Sequence, residues 1–144
     1  MPWQENMINS GAGIIALLRD VRRIAVLGMK TEAQSMQPAF YVPAYMARAG
    51  YDVIPVPVYY PDATEIMGKP VYRKVADIPG EVDMVNVFRR PGDIGQHVDD
   101  ILAKKPKYVW FQSGIRNDEA ARKFAEAGIK VVQDRCLMVE HGRL

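Results

Sequence analysis

Arg89 and Arg90 stand side by side between an apolar run, Asp83 to Phe88, and the dipeptide Pro91-Gly92. Two guanidinium groups at the end of a strand can hold a phosphate or pyrophosphate through bidentate hydrogen bonds. The same pair can also be a solvated doublet that closes a strand before a turn, and its position relative to a binding crevice favours the phosphate role. Gly28, Met29 and Lys30 follow a second apolar run, Ile24 to Leu27. There the glycine can let a phosphate approach backbone amides while Lys30 adds positive potential, or it can simply permit a tight turn. Arg116 is a third candidate cation, but it precedes a helix-capping residue, Asn117, and reads as an exposed side chain.

Groups able to do covalent chemistry are few. The two histidines, His97 and His141, fall away from the ends of the apolar runs, and His97 reads as a half-exposed helix position. Cys136 and His141 lie five residues apart with no third Cys or His nearby, so neither a metal site nor a thiolate–imidazole pair is supported. Met84, Trp110 and Phe111 sit inside apolar runs and read as core. No catalytic residue and no metal ligand is assigned.

The elements that must position the cations follow from periodicity. Ser10 caps a helix over about 10–21, whose apolar positions Ile14, Leu17, Leu18 and Val21 keep helical spacing. Strands are expected at Ile24 to Leu27, Val53 to Val56, Asp83 to Phe88, Tyr108 to Phe111 and Ile129 to Val132, with a short edge strand at Val71-Tyr72. The second helix is expected to start near Phe40 and end at Gly50, because Pro43 is tolerated in a first turn and would kink a helix that began earlier. Asp93, with Gln96 three residues on, resembles a capping box, so a third helix is expected from Asp93 to Lys104-Lys105. Asn117 caps a fourth helix that Gly128 closes.

Strands separated by single helices build an open, doubly wound α/β sheet, mostly parallel, of five to six strands with helices on both faces. Ligands of such sheets sit outside the carboxyl ends of the strands. Here those ends are Gly28 to Lys30, Val56 to Val58, Phe88 to Arg90, Gln112 to Arg116 and Gln133 to Arg135.

Composition removes several classes. With 144 residues, 49% hydrophobic and 25% charged, the chain reads as one soluble globular domain spanning 1–144. Its charge of +2 is interspersed without a run of five like charges, which argues against a nucleic-acid partner. The apolar stretch Ala12 to Leu18 stops at Arg19, short of the ~20 residues that span a bilayer, and the N-terminus lacks the positive region of a signal peptide. No membrane association is expected, and a single cysteine suits a reducing cytoplasm. A nicotinamide-dinucleotide fold wants G-x-G-x-x-G after the first strand and an acid at the end of the second. Only Gly28 is present, and the second strand ends Val56-Pro57-Val58 without an acid.

Several segments, in order, resemble one family. They are R-R-I-A-V-L-G (22–28), A-G-Y-D-V-I-P-V (49–56), E-I-M-G-K-P-V-Y with A-D-I-P (65–72, 76–79), D-M-V-N-V-F-R-R (83–90), V-W-F-Q-S-G-I-R-N-D-E-A-A (109–121) and V-V-Q-D-R-C-L-M-V-E-H (131–141). Together the chain resembles the small stand-alone CoA-binding proteins, which are similar to the CoA-binding domain of the succinyl-CoA synthetase alpha subunit. The resemblance implies a Rossmann-like fold that binds CoA or acyl-CoA. By position it puts the nucleotide at Gly28, Met29 and Lys30, at the start of the next helix with Tyr41, at Val56 and Pro57, and at Val87, Phe88, Arg89 and Arg90. It also brings Gln112 near the thiol-bearing arm. Ala39 and Tyr41 stand where a hydroxyl and a basic residue are usual, and Pro57 to Pro61 replaces a shorter Asn-Pro, so the adenosine contacts are expected to differ. The synthetases' phosphohistidine and second catalytic domain lie outside this chain, so the resemblance does not imply ligase activity. The crevice cations, the lack of a nucleophile–base pair and the resemblance together make a non-catalytic or accessory CoA-binding role the expectation. The alternatives are a nicotinamide-nucleotide enzyme and a protein-interaction module whose Tyr59-Tyr60 loop meets a protein partner.

Overall fold

The computed structural model describes residues 2–144. Helix α1 (Gly11–Asp20) starts where Ser10 accepts the Gly13 N–H at 3.1 Å and buries Ile14, Leu17 and Leu18. Strand β1 (Arg23–Leu27) follows, then α2 (Pro38–Arg48), β2 (Asp52–Val56), a two-residue hairpin β3 (Glu65–Ile66) and β4 (Lys69–Pro70), and β5 (Met84–Val87). The chain closes with α3 (Val98–Lys104), β6 (Tyr108–Phe111), α4 (Asp118–Glu126), β7 (Lys130–Val132) and α5 (Leu137–His141).

Five strands form one parallel sheet in the order β2-β1-β5-β6-β7. The chain leaves β1 toward one edge and returns to its other side at β5. The ends of β1 and β5 therefore diverge into a topological switch point, the crevice of an open α/β sheet. Alternating residues separate two cores: Ala25 and Leu27 of β1 face the α3–α4 layer, while Ile24 and Val26 face the layer of α1, α2 and α5. Trp110, Phe111 and Phe124 are the largest fully buried side chains.

Both edges are covered. The Ile8 N–H donates to Val131 O at 2.8 Å beside β7, and the Tyr72 N–H donates to Pro55 O at 3.1 Å beside β2. Pro55 tolerates this edge strand because it has no N–H to leave unpaired there.

Three local expectations need correction. Val71-Tyr72 is not a strand; the short pairing is Glu65 with Pro70 and Ile66 with Lys69, and Tyr72 makes one edge hydrogen bond. Helix α2 starts at Pro38, not Phe40, with Pro38 itself in the first helical position and Pro43 inside the helix. The α-helix expected from Asp93 begins at Val98, after two short 3-10 turns, Pro91–Asp93 and Gly95–His97. Asp93 makes no cap. Its carboxylate lies 3.9 Å from the Arg89 guanidinium, and Gly95 is a poor helix former at the point where a first turn would propagate. Asn117 does cap α4, accepting the Ala120 N–H at 3.0 Å.

Candidate functional site

At the carboxyl ends of β1, β5 and β6 lies a cavity of about 390 Å³. Lys30, Arg89 and Arg90 supply its positive charge, and Gln112 and Ser113 supply neutral polar groups. Phe88, Pro38 and Ile115 add apolar wall. A hollow of about 410 Å³ at the opposite pole, between the ends of α3 and α4, has Lys105 as the single charge among its lining residues. A few convergent polar groups on an apolar wall are what a nucleotide site requires, so the crevice at the switch point is the candidate.

The two arginines differ. Arg89 is only 9% exposed, and its Nε–H donates to His97 Nε2 at 3.1 Å. Its Nη1 lies 3.5 Å from the Tyr59 hydroxyl, and its guanidinium carbon sits 5.6 Å from the Tyr59 ring centroid. Arg90 is exposed, and its side chain has no hydrogen-bond or ion-pair partner among the described residues. The pair is therefore not a doublet: Arg89 is built into the wall, while Arg90 presents its charge to solvent and cavity.

Long-range structure assembles this wall. The loop after β2 is braced from within by the Arg73 guanidinium, which donates to the carbonyls of Tyr59, Tyr60 and Ala63 at 3.2, 2.9 and 2.8 Å. Tyr59 of this loop lies beside Arg89. His97 is half-buried in its 3-10 turn, and accepting from Arg89 requires an unprotonated Nε2. Burial, and then the neighbouring Arg89 charge, hold its pKa below the ordinary 6.5 against the weaker opposing pull of Asp100 and Asp93. Sequence reasoning missed Tyr59 and His97 at this site, since neither lies near Arg89 in a local pattern.

Lys30 is held at the rim by two bonds. Its backbone N–H donates to Ala39 O at 3.2 Å, and its Nζ contacts the Gln37 side-chain oxygen. Gln112, 4% exposed at the end of β6, accepts at Oε1 from the Leu137 N–H at 3.3 Å and from Asn86 Nδ2 at 3.4 Å. Asn86 is fully buried, and its Oδ1 has no partner among the described residues.

Of the residues expected at the nucleotide, Lys30, Phe88, Arg89, Arg90 and Gln112 meet in this one cavity. Met29, Val56 and Val87 are 0% exposed, and Pro57 is buried, so their side chains support the strand ends from within the core. Tyr41 is exposed on α2 and lies outside the cavity wall. Gly28 answers a backbone requirement: its φ is +86°, and a Cβ there would lie 2.2 Å from Phe88 O. Arg116 is exposed and paired with Asp118 at 3.0 Å, away from the cavity. Cys136 is partly buried at the start of α5, outside the lining residues. Among the described residues there is no cluster of three His, Cys, Asp or Glu that could hold a metal.

Residues 22–142 match the profile of a family described as CoA binding domain. This chain belongs to that family. The CoA-binding fold thus joins a Rossmann-like parallel sheet to a cationic crevice at its switch point. Among related proteins, the uncharacterized YneT of Bacillus subtilis is 33% identical over 132 residues, covering 92% of this chain and 94% of its own. A solved Thermus thermophilus protein is 40% identical with a TM-score of 0.85, covering 94% of this chain and 98% of its own. A hypothetical protein from Pyrococcus horikoshii is 34% identical with a TM-score of 0.84, covering 94% of this chain and 92% of its own. Among the described residues no helix is long and apolar enough to cross a membrane.

Proposed function

We propose that the protein binds CoA or an acyl-CoA in the cavity at the ends of β1, β5 and β6, and does so as a non-catalytic or accessory binding protein. The observation that carries this reading is the meeting of Lys30, Arg89, Arg90 and Gln112 in one crevice of a CoA-binding-family chain. Lys30 and Arg90 offer charge to the phosphates from opposite sides of the switch point, while Phe88, Pro38 and Ile115 suit the less polar arm. A binding role accords with the engagement of the nearby imidazole: His97 Nε2 is occupied by Arg89 and is not poised over the cavity as a base. The partly buried thiol of Cys136, with no second cysteine to pair with, suits a reducing cytoplasm.

Thermal unfolding with CoA, acetyl-CoA, NAD and NADP tests the assignment. A CoA ligand at 100 times its dissociation constant should add about 2.7 kcal/mol of stability. Stabilisation by NAD or NADP alone would replace this reading with a nicotinamide-dependent one. No shift with any of the four, together with no CoA-sized small molecule released on denaturing fresh protein, would point to a protein partner for the Tyr59 loop.

A further inference from the structure

Gln112 is held in one orientation by a donor that cannot reverse. The Leu137 backbone N–H can only donate, so the atom facing it at 3.3 Å must be the amide oxygen. The Asn86 amino group approaches the same oxygen at 3.4 Å. Asn86 is itself oriented, because its Nδ2 also donates to the Trp110 carbonyl at 3.4 Å. With both donors on Oε1, the Gln112 amino group is turned away from the core, on a side chain 4% exposed that lines the cavity. No acceptor for that amino group is present among the described residues. Among the described residues Asn86 Oδ1 is the one buried side-chain nitrogen or oxygen without a partner, so the Gln112 amino group is accessible from the cavity and free to donate to an acceptor on a bound ligand.

The chemistry of that acceptor follows from its surroundings. The charges of Lys30 and Arg90 lie after β1 and β5, whereas Gln112 ends β6, on the side of the cavity away from Lys30. A ligand with its phosphates on the cationic side directs its far end toward β6. Around Gln112 the wall includes Phe88 and Ile115, which favour a neutral group carrying a small apolar substituent. A thiol is a poor acceptor, but a thioester carbonyl has the required oxygen.

Resting on the CoA-binding reading, we propose that the Gln112 amino group donates to the acyl carbonyl oxygen of a CoA thioester, and that the site thereby selects short-chain acyl-CoA over ligands lacking that oxygen. Gln112 is a specificity-determining residue, while Leu137 and Asn86 are positioning residues that keep its oxygen out of the cavity.

Calorimetric titration of the full chain with acetyl-CoA and with its thioether analogue S-ethyl-CoA tests this, since the two ligands differ at the carbonyl. The wild-type protein should bind acetyl-CoA about five- to tenfold more tightly, as one neutral hydrogen bond allows. Gln112→Glu keeps an oxygen for Leu137, and Gln112→Met removes the polar group; in both the preference should fall to within about twofold. Circular dichroism and S-ethyl-CoA binding report whether each variant retains its fold and site. Equal wild-type affinities for the two ligands overturn the proposal while leaving CoA binding intact. Equal weakening of both ligands by the substitutions, with no wild-type preference, moves the contact to an amide of the pantetheine arm and also overturns it. Failure of both ligands to bind the wild-type protein instead removes the CoA-binding reading itself.

Discussion

The backbone N–H of Lys30 donates to the carbonyl of Ala39 at 3.2 Å, and that carbonyl is available because Pro43, four residues further along α2, has no N–H to give it. A proline inside a helix thus ties the loop after β1 to the helix beside the candidate phosphate site. Pro43→Ala would restore an intrahelical donor and relieve the ring's clash, but would lose buried pyrrolidine contacts. These effects oppose, so the expected net change in stability is within about 1 kcal/mol, or roughly 3–5 °C in Tm. The Lys30 amide should lose protection in hydrogen exchange because its acceptor is now shared. Unchanged Lys30 protection would separate the loop from the helix defect.

Arg89 and Arg90 should respond differently to truncation. Arg89→Ala leaves His97 and Tyr59 without their buried partner and is expected to cost about 1–3 kcal/mol in urea unfolding. Arg90→Ala should change stability by less than about 0.5 kcal/mol, because the side chain is exposed. It should weaken CoA binding by about tenfold or more through loss of a charge-assisted phosphate contact. Equal stability of the two variants would contradict the structural division between them.

His97 should make stability fall as the medium is acidified. The unfolded ring gains its proton as the pH drops through about 6.5, whereas burial and Arg89 delay protonation of the folded ring to a lower pH. In that window the unfolded state binds more protons, so the contribution of neutral His97 is complete above about 6.5 and is lost as the pH falls toward the folded pKa. The slope from one group cannot exceed about 1.4 kcal/mol per pH unit. His97→Gln keeps an acceptor for Arg89 without a titrating ring, and should flatten the dependence between about pH 7 and 5 relative to wild type. Parallel stability profiles from urea melts would discard this role.

Gly28→Ala should be among the most damaging single changes. It forces a Cβ to within 2.2 Å of Phe88 O at a φ of +86°, so β1 and β5 must separate where their ends define the crevice. A loss of more than about 3 kcal/mol is expected from combined strain and clash, read as a large drop in Tm. A near-normal melting temperature would mean that the strand ends have slack at this contact.

Sequence alone determined the architecture because its signals are local. Ile24 to Leu27 and Tyr108 to Phe111 are unbroken apolar runs that need cover on both faces, and Ser10 and Asn117 cap helices through residues three positions on. The strand-end placement of Lys30, Arg90 and Gln112 was legible for the same reason. Tertiary structure decided what each of them faces. Arg89 and Arg90 are neighbours of the same type, yet only contacts with Tyr59, 30 residues away, and His97 make one a buried strut. The capping signal at Asp93 was local too, but the Arg89 guanidinium draws its carboxylate and the α-helix waits until Val98. The orientation of Gln112 rests on the N–H of Leu137, 25 residues later, at the head of a five-residue helix that no periodic pattern announces. Periodicity reports which face of an element is buried; pairings between side chains on separate elements exist only once the sheet order has brought them together.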